Sequence, residues 1–252
     1  MNEQEIKVST GDGEMTTFLV HPPGGGPFPV AVLYMDGVGY REQIKDNARR
    51  FADAGYYCVA PDLFYRSGEG VGFDFSKMGD EAYRARFMSV VGAVNPDAVV
   101  ADTEAALSAI ASDPAAAADA PKVCVGYCMG ARMALHFAAA LPDQVVAAAG
   151  IHPGALVTDK PDSPHRDLAR VQGEVYFAFA ENDHSATPEV VDAFREELSA
   201  QGVDGVVERL PGTSHGFAMA DLPVYDVAAT EHHFERTLDL WRRNLSQEPA
   251  GV

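Results

Sequence analysis

Long apolar runs are missing from this 252-residue chain. Although 47% of its residues are hydrophobic, no stretch reaches the roughly 18 consecutive apolar residues of a membrane-spanning helix, and a membrane partner is not expected. Positive charge is scarce: 19 Lys and Arg face 37 Asp and Glu, a formal net charge of −18. That balance excludes the basic stripe by which nucleic acid is held and reads as a solvating acidic surface. An anionic ligand would need a local cationic pocket. Only three cysteines occur, with no CxxC pair, which excludes a disulfide framework and leaves a free thiol available under reducing conditions. The opening stretch "MNEQEIKVSTGDGE" lacks the basic flank and apolar run of a secretory signal, so a cytoplasmic location is expected.

What the chain does contain is an alternation. "IKVST", "GDGE" and "MTTFLV" read as a β-hairpin turned by Asp12-Gly13. "FPVAVLYM" reads as a strand buried on both faces. Ile44, Ala48, Phe51 and Ala52 are spaced as one helix face closed by Gly55. "YYCVAP", "KVCVGY", "QVVAAAGI", "EVYFAFA" and "VVERL" supply further strands. Between and after them lie helices, one opened by Asn95-Pro96 and carrying Val99, Thr103, Leu107 and Ile110. Another begins at "MGARMALHFAAAL". A third opens at Thr187-Pro188, with Val190, Phe194 and Leu198 facing inward, and closes near Gly202. The last carries Val227, Phe234, Leu238 and Trp241. The pattern predicts one α/β domain over residues 1–252, a mostly parallel sheet with helices on both faces. Chemistry is then expected in loops at the carboxyl ends of the strands. Residues 64–95 break the rhythm. They hold the loop "SGEGVGF" and a short amphipathic helix through Tyr83, Phe87 and Val91, a lid-like insertion that either packs on the sheet edge or covers a pocket.

Within "VGYCMGAR", Gly126-Tyr127-Cys128-Met129-Gly130 places a cysteine between two glycines at a strand-to-helix turn. A nucleophile elbow needs this context, because residues two before and two after the nucleophile must be nearly free of side chain. The helix N-terminus behind it favours an anion and so suits a thiolate. Asp183, in "FAFAENDHSATPE", and His215, in "LPGTSHGFAM", each follow a different strand. The order Cys128, Asp183, His215 is that of nucleophile, acid and histidine in α/β-hydrolases. In that arrangement His215 handles the thiol proton and Asp183 orients the imidazole. Two backbone N–H groups are needed for an oxyanion hole, and Met129 and Gly37 are expected to supply them.

These segments, with "YMDGVGYRE" and "GYYCVAPDLFYR", resemble the dienelactone hydrolase family, whose fold is the α/β-hydrolase fold. The resemblance covers most of residues 15 to 245. It implies a cofactor-independent cysteine hydrolase of small esters or lactones that forms an acyl-enzyme; separately, a monomer or small homo-oligomer is expected. In that family a carboxylate after the early strand holds the resting thiol; the matching position here is Asp36, where the typical enzymes have glutamate. The well-known members also place an arginine four residues after the histidine to grip a substrate carboxylate. That position is Met219 here, which implies a less charged substrate unless Arg41, Arg66, Arg84 or Arg86 restores the charge. Tyr127, Phe217 and Arg84 are, with Met219, the expected pocket residues, and His152 either lines the pocket or is a satisfied buried histidine.

Other features carry no chemistry. Cys58 and Cys124 sit inside strand patterns. His232 and His233 lie beside Glu231 on a helix expected at the surface, without an HExxH motif or a third ligand, so no metal is expected. "GEGVG" lacks the Lys-Ser/Thr of a P-loop. The rival to hydrolysis is a non-enzymatic ligand-binding or interaction protein on the same fold, which would have little use for the cysteine, acid, histidine and both elbow glycines together.

Overall fold

The computed structural model describes residues 1–161 and 163–246, so the end of the expected 1–252 domain lies outside the described residues. The chain forms two compact units, residues 1–119 and 120–252.

In the first unit, β1 (Asn2–Thr10) and β2 (Gly13–His21) form the expected antiparallel hairpin. Thr10 pairs with Gly13, so Gly11 and Asp12 occupy the turn, one position earlier than Asp12-Gly13. The strand β3 (Val30–Tyr34) is buried at every position and pairs in parallel with β4 (Tyr57–Pro61), which also pairs antiparallel with β2. The helix α1 (Glu42–Asp53) buries Ile44, Ala48, Phe51 and Ala52, the face read from the spacing. The insertion contains α2 (Glu81–Ala93), capped by the Asp80 carboxylate on the Tyr83 N–H. It has no fully buried residue and is held by edge-on aromatic contacts of Phe87 with Phe73 and Phe75 and of Tyr83 with Phe73. The helix α3 (Pro96–Ala109) starts at Asn95, whose side chain accepts from the Ala98 N–H, as Asn-Pro predicts.

The second unit is a parallel sheet of β5 (Lys122–Tyr127), β6 (Val145–Ile151), β7 (Glu174–Asn182) and β8 (Gly205–Ser214), paired in chain order. Nine of the twelve residues of α4 (Met129–Ala140) are buried, and it packs on β5 and β6. In α5 (Pro188–Gln201) the buried residues are Val191 and Phe194, while Val190 and Leu198 are only half-buried. Gly202 closes that helix in the left-handed conformation, as expected. In α6 (Val227–Leu245) Phe234, Leu240 and Trp241 are buried. Val227 is exposed at the first turn, and Leu238 is half-buried. Among the described residues no helix is long and apolar enough to cross a membrane.

Candidate active site

Parallel pairing in the second unit decides which residues meet. Tyr127 is level with Ile151, so Cys128 and His152 leave β5 and β6 together. Asn182 is level with Ser214, so Asp183 and His215 leave β7 and β8 side by side. All four therefore emerge at the carboxyl end of one parallel sheet.

Cys128 is the N-cap of α4, with φ 53° and ψ −112°. A non-glycine residue at positive φ is strained; here the strain lifts Sγ off the sheet, as an elbow requires. Gly126 shows why the turn admits no side chain: a methyl group there would lie 1.9 Å from the Gly130 carbonyl oxygen. The Cys128 N–H donates to the Ile151 carbonyl at 2.9 Å, tying the elbow to β6.

The Cys128 Sγ lies 2.9 Å from His215 Nε2. On the other side of the ring, Nδ1 lies 2.5 Å from Asp183 Oδ2. The Asp183 side chain is 6% exposed and that of His215 28%. Burial opposes charge on both residues. For His215 the opposing charge of Cys128 and the hydrogen bond to Asp183 outweigh burial and raise its pKa. For Asp183 the hydrogen bond and charge of His215, with help from Ser185, outweigh burial and lower it. Cys128 is half-buried, whereas Cys58 and Cys124 are fully buried and their thiols are pushed far up by burial. Accessible sulfur chemistry thus belongs to Cys128.

Two neighbours of this constellation escaped the sequence reading. Ser185 donates both its N–H (2.8 Å) and its Oγ–H (2.7 Å) to Asp183 Oδ1. The Asp-x-Ser spacing is the available signal for such a turn. Arg132 lies one turn into α4, half-buried. Its Nε is buried without a hydrogen-bond partner among the described residues. Burial lowers its pKa and the charge of Cys128 partly offsets that. The i, i+4 spacing from Cys128 is its signal in the sequence.

The remaining expected residues are distributed differently. His152 is fully buried and sets its ring edge-on to His215, with centroids 5.3 Å apart. Phe217 also packs edge-on to His152. Tyr127, Phe217 and Met219 are also fully buried, so they back the site instead of lining an open wall. Tyr127 ends β5, which is buried at every position, and meets the His233 ring edge-on. Arg84 is exposed on α2. His233, expected at the surface, is fully buried with its ring against Tyr127 and Phe234. Adjacent helix positions are turned by about 100°, so His232 and His233 cannot share a surface. No cluster able to hold a metal ion occurs among the described residues.

In the first unit, Asp36 is 4% exposed at its side chain. It takes Arg41 through both oxygens, at 2.6 and 3.1 Å, and accepts the Val38 N–H at Oδ1. The Arg41 guanidinium is thus engaged by Asp36. Arg66 is paired with the buried Asp102 and with Asp12, and Arg86 lies over Phe73. Gly37 is covered by α2: a methyl group there would lie 3.1 Å from the Phe87 ring and 3.4 Å from Val91.

Similarity to known proteins places the chain in a family. The family model for the dienelactone hydrolases matches residues 15–245. A Methylorubrum extorquens protein provisionally named carboxymethylenebutenolidase is 29% identical over 95% of this chain and 80% of its own. The carboxymethylenebutenolidase of Pseudomonas putida is 26% identical over 99% of this chain and 100% of its own. A Klebsiella pneumoniae structure, provisionally a dienelactone hydrolase, superposes with a TM-score of 0.83 at 22% identity, covering 96% of this chain and 98% of that one. The α/β-hydrolase fold follows from that likeness. The chain belongs to the dienelactone hydrolase family and is a hydrolase of that type.

Proposed function

We propose that Cys128, His215 and Asp183 form a catalytic triad that hydrolyses small esters or lactones through a covalent thioester. The observation that carries this reading is the unbroken chain from Cys128 Sγ to His215 Nε2 at 2.9 Å and from Nδ1 to Asp183 Oδ2 at 2.5 Å. Its steps follow from the chemistry of the groups. The Cys128 sulfur attacks the carbonyl carbon while His215 Nε2 holds the thiol proton. The C=O electron pair moves to oxygen, and the Met129 N–H at the start of α4 stabilises the oxyanion. The sequence assigns the second donor to Gly37. Collapse of the tetrahedral species breaks the bond to the leaving oxygen, which takes the proton from Nε2. The acyl group remains on sulfur. Water then attacks the thioester with His215 as general base, and the acid departs as the thiol re-forms. Asp183 holds the tautomer and the imidazolium. Asp36, paired with Arg41, is assigned an auxiliary role at the loop that carries Gly37.

The test is hydrolysis of a p-nitrophenyl acyl ester and of a panel of neutral lactones. Cys128→Ala is expected to fold normally and lose turnover. The double variant Cys128→Ala/His215→Ala is expected to be hardly worse than either single variant, because groups acting as one unit are non-additive. Full additivity of the two log-rate losses, or parent-like turnover in Cys128→Ala, would overturn the triad.

A further inference from the structure

Gly154, in "IHPGAL", is the third residue after the end of β6. Most glycines at such positions are explained by backbone or packing. Gly126 and Gly150 are required by packing, since a methyl group would lie 1.9 Å from Gly130 and 2.3 Å from Phe177, respectively. Gly202 is used for its left-handed φ of 69°. Gly154 fits neither case. Its φ lies outside the left-handed region, and a methyl group on it would make only ordinary contacts. Those contacts are 3.5 Å to His215 Cε1, 3.7 Å to Ser185 Oγ and 3.9 Å to Cys128 Sγ. The absent side chain therefore leaves open a space bordered by the nucleophile, the histidine and the serine that holds the acid.

The segment around it is firmly placed. His152 and Leu156, two residues to either side, are fully buried. The His152 N–H donates to the Ala178 carbonyl at 2.7 Å and the His165 N–H to the Leu156 carbonyl at 3.0 Å. Between these anchors, His152 (φ 39°) and Ala155 (φ 50°) both occupy the left-handed region without being glycine. Such conformations persist only where the surroundings over-determine them. Gly154 itself is half-buried, so its Cα forms a fixed wall facing open space.

We propose that Gly154 is a specificity-determining residue: it forms the wall against which the alcohol side of the ester or lactone lies. This rests on the triad reading above and assigns a side to the site. The leaving oxygen must come within hydrogen-bond reach of His215 Nε2 while its carbon is attacked by Sγ. Groups carried on that oxygen then lie beside Cε1 and Sγ, which is the space Gly154 borders. The site therefore admits esters of branched alcohols and ring oxygens borne on substituted carbons, and a side chain at 154 narrows it toward primary alcohols.

The experiment compares kcat/KM for methyl and isopropyl esters of one acid, and for acetate and isobutyrate esters of one alcohol. The proteins are the parent, Gly154→Ala, Gly154→Val and Cys128→Ala. Circular dichroism and thermal unfolding check the fold. The isopropyl-to-methyl ratio is expected to fall about tenfold in Gly154→Ala and further in Gly154→Val, the range seen for one added carbon in a tight pocket. The isobutyrate-to-acetate ratio should change less than twofold. A folded Gly154→Ala and Gly154→Val with both ratios unchanged would overturn the wall, and a shift confined to the acyl ratio would overturn its assignment to the alcohol side. Activity in Cys128→Ala would instead strike the triad, whatever the Gly154 variants do.

Discussion

Ser185 shows how much of this site depends on a single hydroxyl. It gives Asp183 Oδ1 two hydrogen bonds, one from its backbone and one from its side chain. Asp183 is held below its ordinary carboxylate range although burial pushes the other way. A carboxylate depressed in the folded state stabilises the fold above its unfolded pKa of about 3.9. That contribution is lost as pH falls through the depressed folded value. Ser185→Ala removes the side-chain bond and keeps the backbone one, so the folded pKa of Asp183 rises toward the unfolded one. The variant is expected to be about 1 kcal/mol less stable at pH 7, with the deficit shrinking below about pH 4. Urea unfolding at pH 7, 4.5 and 3 measures it, and a deficit independent of pH would mean that the hydroxyl does not act through Asp183. Asp183 and His215 were legible because each follows a strand pattern in the right order. Ser185 and Arg132 were not, since a serine two residues after an aspartate and an arginine on a helix are common in any protein. The buried state of Met219 was also hidden: being apolar is compatible with a pocket wall and with a core, and only packing distinguishes the two.

Among the helices, α2 and α4 stand at opposite ends of a burial scale. The helix α4 buries nine of twelve residues; α2 buries none fully and rests on edge-on contacts of Phe87 and Tyr83 with Phe73 and Phe75. Local opening free energy follows buried contact, so the amides of α2 are expected to exchange with solvent well before those of α4. Phe87→Ala should widen that difference by at least tenfold in α2 protection while leaving α4 unchanged. Hydrogen exchange followed by mass spectrometry reads both helices at once, and equal protection of α2 and α4 in the parent would refute the ranking. The spacing of Tyr83, Phe87 and Val91 predicts the helix and leaves open whether it packs or covers a pocket. Phe87 and Val91 sit over Gly37, a contact between positions fifty residues apart that periodicity cannot encode.

Across the whole chain the net charge of −18 acts on approach of substrate, not on the bonds made in the site. Two identified arginines near the Gly37 loop and the insertion are already engaged, Arg41 with Asp36 and Arg66 with Asp102. Repulsion of an anionic substrate is screened as the Debye length drops from about 30 Å at 0.01 M to about 8 Å at 0.15 M ionic strength. For a carboxylate-bearing lactone kcat/KM is therefore expected to rise severalfold over that range, while a neutral lactone of similar size stays level. Steady-state kinetics in increasing sodium chloride check this, and a fall for the anion would reveal a dominant local cation, with Arg132 the first to substitute.

The sequence by itself determined the alternation of strands and helices, because buried strands must be apolar throughout and helices on them must repeat near 3.6 residues. It also determined the elbow, because at Gly126 a methyl group would lie 1.9 Å from the Gly130 carbonyl oxygen and only glycine fits. Tertiary structure alone decided which face of α6 buries His233 and that Arg41 answers Asp36. Only there does the missing side chain of Gly154 open beside Cys128. Each of these depends on the register between strands and the packing of side chains distant in sequence, and local spacing holds no record of either.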